Sequence, residues 1–211
     1  PPYVQRVKPV GRQPPKILVE DVAQIGVPKN QFFHDELHLP GGLFVSRLND
    51  PMKGSQVLPA LQELLGAEHP VCIPHVGGRV AYANMHLYYH RARLTLTPSV
   101  EIPWRPREQG PAYTNLESMF CGTPVVTTDT ASIDEWLPSS VATKVPLELL
   151  QDPDDPAALD PAALVGPICG ILGAQPDGLS RRCRDAYHWA QEHFSNRVVA
   201  ARLIAALEAA Q

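Results

Sequence analysis

The sequence predicts an α/β fold with a doubly wound, mostly parallel sheet, and three observations lead to this prediction. From Gly41 onward, short apolar runs alternate with segments of helical periodicity. Glycine and proline residues lie at the boundaries between these segments. The chain has 211 residues, of which 44% are hydrophobic, and this is enough for one substantial core. In such folds the ligands bind beyond the carboxyl ends of the strands.

The elements follow from short apolar runs and from helical spacing. The clearest runs predict strands over 41–48, 70–76, 94–99 and 123–129, and a further candidate strand covers 16–22. Apolar residues three or four positions apart predict helices over 55–66, 81–92, 114–122, 179–194 and 195–210. Gly66 is typical of a helix end, and Ser195 is typical of a helix start.

Proline content, net charge and the lengths of the apolar runs limit the classes to which the protein can belong. Residues 1–40 begin with a proline-rich stretch and are predicted to be a lead-in or linker, whereas 41–211 are predicted to form one domain. The net charge of -4 argues against a nucleic-acid-binding surface. No apolar run has the length of a membrane span, and no signal peptide pattern is present, so a cytoplasmic protein is expected.

The cysteines Cys72, Cys121, Cys169 and Cys183 show no C-x-x-C spacing. Each lies in an apolar or helical context, so they are predicted to be buried, reduced thiols. A metal site or a disulfide pair is the alternative.

The segment from Gly110 to Asp129 contains the first candidate site. A glycine-containing loop leads into a helix predicted to start at Thr114 or Asn115, where free N–H groups and the positive dipole end suit a phosphate. Glu117 is predicted in the first turn, within reach of a ligand hydroxyl. The alternative is that Glu117 only caps the helix. The predicted cradle consists of Gly110, Ala112, Tyr113, Thr114 and Asn115.

The segment from Ser46 to Gly54 contains the second candidate site. Arg47 is a two-pronged donor and Lys53 is a compact cation, so together they are able to clamp a diphosphate at the end of a strand. The alternative is that both side chains are solvated loop cations.

Both segments resemble motifs of one family. LESMFCGTPVVTTD resembles the L-E-A-M-x-x-G-x-P-V-V signature of the family 4 retaining glycosyltransferases with the GT-B fold, and SRLNDPMKG resembles their G-R-L-x-x-x-K-G loop. The resemblance implies the Rossmann-like C-terminal half of a GT-B fold, which binds a nucleotide diphosphate sugar. It also implies that Arg47 and Lys53 bind the donor phosphates and that Glu117 accepts hydrogen bonds from the ribose.

The first glutamate of the family's E-x7-E loop has no direct counterpart, because Gln109 stands eight residues before Glu117. Glu108, displaced by a one-residue loop extension, is the predicted catalytic partner that accepts hydrogen bonds from the donor sugar. The alternatives are Glu101 or no such carboxylate. No metal or cofactor is expected, since the cations and the helix start neutralise the diphosphate.

The resemblance implies a hexosyltransferase that moves a sugar from a UDP- or GDP-linked donor to an acceptor with retention. The N-terminal acceptor domain, or a partner chain, is expected to be missing here, so this chain alone is expected to be inactive. A nucleotide-sugar epimerase or hydrolase and a non-catalytic binding module are the alternatives. No basic amphipathic stretch supports membrane association. The apolar stripe of Val198, Leu203 and Leu207 either docks on the absent domain or packs on this one.

Overall fold

The sheet is parallel throughout and forms the centre of the domain. The structure, a computed structural model, describes residues 39–46, 50–73, 84–103, 105 and 112–209. The five-stranded sheet has the order β2-β1-β3-β4-β5. Its strands are β1 (Leu39–Phe44), β2 (Val71–Cys72), β3 (Ala92–Thr97), β4 (Val125–Thr128) and β5 (Thr143–Val145). The predicted α/β fold with a doubly wound sheet is confirmed.

The helices of the described residues connect these strands and close the domain. They are α1 (Leu58–Leu65), α2 (Met85–Arg91), α3 (Tyr113–Phe120), α4 (Ala131–Trp136), α5 (Leu147–Leu150), α6 (Ala162–Leu172), α7 (Pro176–Phe194) and α8 (Asn196–Ala209). Short 3-10 turns at Pro51–Lys53 and Ser55–Val57 precede α1. The predicted helices over 55–66, 114–122, 179–194 and 195–210 are confirmed, and Gly66 ends α1 in a backbone conformation of positive φ.

Several elements were not predicted from the sequence. β5 and the short helices α4 and α5 span too few residues for periodicity to be visible. Helix α6 contains Pro167, which normally disfavours a helix interior. Its last carbonyl, that of Leu172, accepts a hydrogen bond from the Arg93 side chain at 2.7 Å.

The strand order creates a switch point between β1 and β3. Within the sheet, β2 lies next to β1 on one side and β3 lies next to β1 on the other side. The register pairs Leu43 with Thr95 and Phe44 with Leu96, so the carboxyl ends of β1 and β3 lie side by side. Parallel sheets bind ligands at such points because the loops that follow the two strands diverge there.

The two faces of the sheet have different cores. Leu94 and Leu96 of β3 are fully buried and pack in one cluster with residues of α1, α6 and the first half of α7. The alternate residues Thr95 and Thr97 face α3 on the other side, where they form hydrogen bonds. Burial of each leucine stabilises the fold by about 1.5–3 kcal/mol. The leucine face thus contributes apolar burial, whereas the threonine face orients α3.

The second strand differs from its prediction. The apolar run over 70–76 was expected to form a buried strand, but Val71 and Cys72 are only half-buried, so that expectation was wrong for them. Among the described residues β2 pairs with β1 and forms the edge of the sheet. The candidate strand 16–22 lies outside the described residues.

The last helix has an exposed apolar stripe. Leu203 and Leu207 of the predicted stripe are 60% and 59% exposed, whereas Val198 is half-buried, and no residue of α8 is buried. Within the described part of the chain, Leu203 and Leu207 are therefore not packed on this domain. No helix among the described residues is long and apolar enough to cross a membrane.

The cysteines are all free thiols, but they are not all buried. Cys121 and Cys183 are buried, Cys72 is half-buried and Cys169 is exposed on α6. The prediction of burial was therefore wrong for Cys169, because its neighbour Ile168 occupies the inner face of that helix. Among the described residues, no group of His, Cys, Asp or Glu side chains is arranged to hold a metal ion.

We expect iodoacetamide to modify Cys169 in the native protein and to reach Cys121 and Cys183 only after unfolding. Burial raises the pKa of the Cys121 thiol well above its usual range, and the nearby Glu117 carboxylate raises it further. Burial raises the pKa of Cys183 to about 12, against the lowering effect of Arg182 and Arg184. Since the thiolate is the reactive form, both thiols are protected.

Peptide mapping by mass spectrometry at pH 8, with and without denaturant, measures this difference. A Cys169→Ser variant is the control and should lose the fast native labelling. Native labelling of Cys183 as fast as that of Cys169 would contradict the burial of Cys183.

Candidate functional site

The candidate site lies at the carboxyl edge of the sheet, at the switch point between β1 and β3. Three segments meet there: the turn that contains Lys53 after β1, the segment Pro98–Glu101 after β3, and the start of α3. The turn contacts the segment after β3, and the start of α3 is hydrogen-bonded to the end of β1 and to β3 itself.

The turn after β1 is held against the end of β3. The Asp50 carboxylate accepts hydrogen bonds from the Met52 amide and from the Arg105 guanidinium, both at 3.2 Å. The Val100 amide donates to the Met52 carbonyl at 3.0 Å. Lys53 is thereby placed next to the segment that follows β3.

Gly54 is required for this packing. Its φ is +64°, and a Cβ at this position would lie 1.8 Å from the Pro98 carbonyl oxygen. Only a residue without a side chain allows the two backbones to approach so closely. The glycine that follows Lys53 in the sequence motif therefore has a defined structural reason.

Helix α3 begins at Tyr113, directly after a strained residue. Ala112 has a φ of 56° and is the non-glycine residue with positive φ among those described. The N-cap residue of the helix, Ala112, makes no side-chain hydrogen bond to the helix start. The amide of Asn115 donates to the Ala112 carbonyl at 3.1 Å, whereas the amides before it lie too early in the helix to have a partner within it. The Thr114 hydroxyl donates to the Val45 carbonyl at 3.1 Å, so the helix start is tied to the end of β1.

Buried polar side chains fix α3 on the sheet. The Thr97 hydroxyl donates to the Asn115 side-chain oxygen at 2.7 Å, and the Ser118 hydroxyl lies 2.8 Å from the Thr95 hydroxyl. All four residues are at least nine-tenths buried. The Asn115 amide nitrogen is buried and has no hydrogen-bond partner among the described residues. These directional contacts set the position of the helix start relative to β3.

Glu117 is not in the first turn of α3, and that prediction was wrong. The helix was predicted to start at Thr114 or Asn115 but begins at Tyr113, so Glu117 is its fifth residue, and the first turn contains no acidic side chain. The carboxylate is half-buried and accepts a hydrogen bond from the Tyr89 hydroxyl at 2.7 Å. Glu117 therefore does not cap this helix.

Tyr89 was missed by the sequence analysis. It lies in the last turn of α2 and is 1% exposed. Its sequence signal is only that of an aromatic residue in an amphipathic helix, which is typical of packing. The packing of α2 against α3 brings its hydroxyl to Glu117, and the sequence does not specify that packing.

Glu101 has a structural role at the end of β3. Its carboxylate accepts a hydrogen bond from the Ala131 amide, the first residue of α4, at 2.9 Å. Its backbone carbonyl and amide are bound by the Gln151 side chain at 2.8 and 3.2 Å. These contacts orient Glu101 toward α4, and Gln151 had no signal in the sequence.

The remaining predicted site residues, Arg47, Glu108 and Gly110, lie outside the described residues and stay predictions. Tyr113 is described and is 78% exposed at the start of α3. Lys53 after β1, and Ala112, Tyr113, Thr114 and Asn115 after β3, lie at the same edge of the sheet.

Solved structures of other proteins share this architecture. The chain is similar to the sucrose-phosphate synthase of Thermosynechococcus elongatus, with 18% identity and a TM-score of 0.58 over 92% of this chain and 50% of that one. It is also similar to the GtfA/B complex, with 17% identity and a TM-score of 0.55 over 82% of this chain and 37% of that one. The chain thus spans half or less of their length. It has the fold of one Rossmann-like half of a GT-B glycosyltransferase.

The family follows from the sequence profile described as glycosyl transferases group 1, which matches residues 53–164. This region contains Lys53, Glu117 and all strands except β1. The chain belongs to the glycosyl transferases group 1 family and is a glycosyltransferase domain. No curated protein matches the chain in sequence.

Proposed function

We propose that this domain binds the donor of a retaining family 4 hexosyltransferase, a UDP- or GDP-linked sugar. The observation that carries the proposal is the position of the start of α3 at the switch point of the sheet, where Thr114 joins it to β1 and where its N-cap residue, Ala112, does not cap it. A helix start offers backbone N–H groups and a positive dipole end to a diphosphate. Ala112 holds its strained backbone directly at this place, and strain of this kind is often found at ligand sites.

Cations would complete the diphosphate site. Lys53 is placed beside the end of β3 by the turn that Asp50 and Gly54 stabilise. We propose that Lys53 and Arg47 stabilise the charge that develops on the leaving diphosphate, together with the amides of Ala112, Tyr113 and Thr114. The amide of Asn115, the last residue of the predicted cradle, already donates to the Ala112 carbonyl. No metal ion is then required, since these groups already supply the positive charge.

Carboxylates would orient the rest of the donor. We propose that Glu117 accepts hydrogen bonds from the ribose hydroxyls and that Glu108 accepts them from the sugar. Glu108 is preferred over Glu101 because the Glu101 carboxylate already accepts the amide at the start of α4.

A second domain would supply the acceptor. The solved structures that the chain resembles are at least twice as long as the part it covers. The exposed stripe of α8, with Val199, Leu203, Ile204 and Leu207 between 47% and 60% exposed, supports an apolar contact with that domain. We propose that transfer requires this acceptor domain in addition to the donor domain described here.

The test is calorimetric titration of the chain with UDP, GDP and their sugars. We expect one nucleoside diphosphate to bind and Lys53→Ala to weaken it about tenfold, as for loss of a charged hydrogen bond. Lys144→Ala removes the same charge at β5, where Lys144 pairs with Asp134, and should leave the affinity unchanged. No binding of any of these nucleotides at millimolar concentration would overturn the donor-site proposal.

A further inference from the structure

We infer that Tyr89 is a positioning residue, which holds the Glu117 carboxylate in the orientation that receives the ribose. The inference rests on the proposed function, in which Glu117 binds the ribose of the donor. It adds a residue that no sequence motif indicated and that is not expected to touch the ligand itself.

Two hydrogen bonds hold Tyr89, one at its side-chain hydroxyl and one at its backbone carbonyl. Its hydroxyl donates to Oε2 of Glu117 at 2.7 Å, and its backbone carbonyl accepts from the Thr123 hydroxyl at 2.7 Å. Thr123 follows α3 and is 4% exposed. The tyrosine is therefore tied to Glu117 within α3 and to Thr123 beyond the end of α3, and the two contacts fix its position relative to that helix.

The ring of Tyr89 packs in an apolar cluster of the described residues. This buried cluster contains Leu43, Met85, Ala92 and Cys121. A phenylalanine would fill this space equally well, whereas a buried hydroxyl is unfavourable unless it finds a partner. The hydroxyl is thus matched to Glu117 rather than to the packing of the cluster.

A neutral donor suits the role of Glu117. A carboxylate has room for about four hydrogen bonds on its two oxygens. The tyrosine occupies one of these positions and leaves the charge of Glu117 in place, whereas an arginine would neutralise it. The side chain is then already ordered when the ribose arrives, so binding requires less loss of rotamer entropy.

The test compares ribose recognition with overall affinity. UDP and GDP are titrated into the wild-type chain beside their 2′,3′-dideoxy counterparts, and the ratio of the two affinities reports the hydroxyl contacts. We expect the wild-type ratio to be roughly 10–100, since each charged hydrogen bond contributes about a tenfold factor. In Tyr89→Phe, the ratio should fall about 3- to 10-fold while the affinity for the dideoxy nucleotide stays the same.

Tyr88→Phe is the matched control, because it removes the same hydroxyl from the adjacent, half-buried residue of α2. Its ratio should equal that of the wild type. An unchanged ratio in Tyr89→Phe would overturn the inference. An equal loss of affinity for the ribose and dideoxy forms would also overturn it, since it would indicate a merely structural role.

Glu117→Gln separates this inference from the proposed function. If Glu117→Gln leaves the ratio unchanged, the ribose role of Glu117 itself fails. If Glu117→Gln lowers the ratio and Tyr89→Phe does not, only the positioning role fails. In the Glu117→Gln background, Tyr89→Phe should have no further effect on the ratio, because Tyr89 acts through Glu117.

A crystal structure of the wild-type chain with bound nucleotide provides a test that needs no variant. The Tyr89 hydroxyl should remain within hydrogen-bond distance of Glu117 while the same carboxylate accepts the ribose hydroxyls. A carboxylate that turns away from Tyr89 to reach the ribose would overturn the inference.

Discussion

A Glu117→Gln substitution is expected to weaken binding of the nucleoside diphosphate by roughly 10- to 100-fold. Glutamine keeps the shape of the side chain, and its oxygen still accepts a hydrogen bond from Tyr89. However, it loses the charge and replaces an acceptor with a donor. Hydrogen bonds to charged groups contribute about 1.5–3 kcal/mol each, and two ribose hydroxyls are proposed to bind here.

Calorimetric titration of the full chain measures this effect, with the melting temperature as a check on folding. Glu135→Gln makes the same chemical change at an exposed position of α4 and should leave the affinity unaltered. If the Glu117 variant binds as tightly as the wild type, Glu117 does not contact the ribose.

A Gly54→Ala substitution is expected to cause the largest loss of stability, with the free energy of unfolding lower by at least about 2–4 kcal/mol. The added Cβ would lie 1.8 Å from the Pro98 carbonyl oxygen, and both groups belong to the backbone. Relief of this clash requires the turn to move away from the end of β3. The turn contains Lys53, so nucleotide binding should weaken together with stability.

Two further variants isolate the cause, and urea denaturation compares all three. Gly54→Asn tests conformational strain, because asparagine tolerates a φ of +64° better than alanine does. If the clash dominates, asparagine is as destabilising as alanine. If conformational strain alone acts, Gly54→Asn leaves the free energy of unfolding nearly unchanged, and the explanation by close approach to Pro98 is contradicted. Gly178→Ala adds a methyl group where no atom lies within 4 Å in α7, and should stabilise by about 0.5–1 kcal/mol.

The two motifs of the candidate site could be assigned to one edge of the sheet from the sequence, but the contacts between their residues could not. The motif around Lys53 follows β1 and the motif around Glu117 follows β3, and parallel strands bring both motifs to one edge. Glu117 was nevertheless placed in the wrong turn, because the start of α3 depends on the backbone of Ala112. A positive φ at an alanine has no signature in the residue type.

The contacts of Glu101 could not be predicted from the sequence either. By spacing it was an alternative for the first glutamate of the motif, yet its carboxylate binds the start of α4 and its backbone is bound by Gln151. Gln151 lies 50 positions away along the chain. Sequence distance and motif spacing do not report such a contact.

The sequence by itself determined that this chain is an α/β domain of the glycosyltransferase class, with the predicted edge as its candidate site. This was possible because apolar periodicity, turn residues and motifs are local properties of the chain. Only the tertiary structure decided that Tyr89 meets Glu117, that Gly54 meets Pro98 and that Cys169 is exposed. These contacts depend on how helices are rotated and shifted against their neighbours, and many weak interactions throughout the core determine that packing.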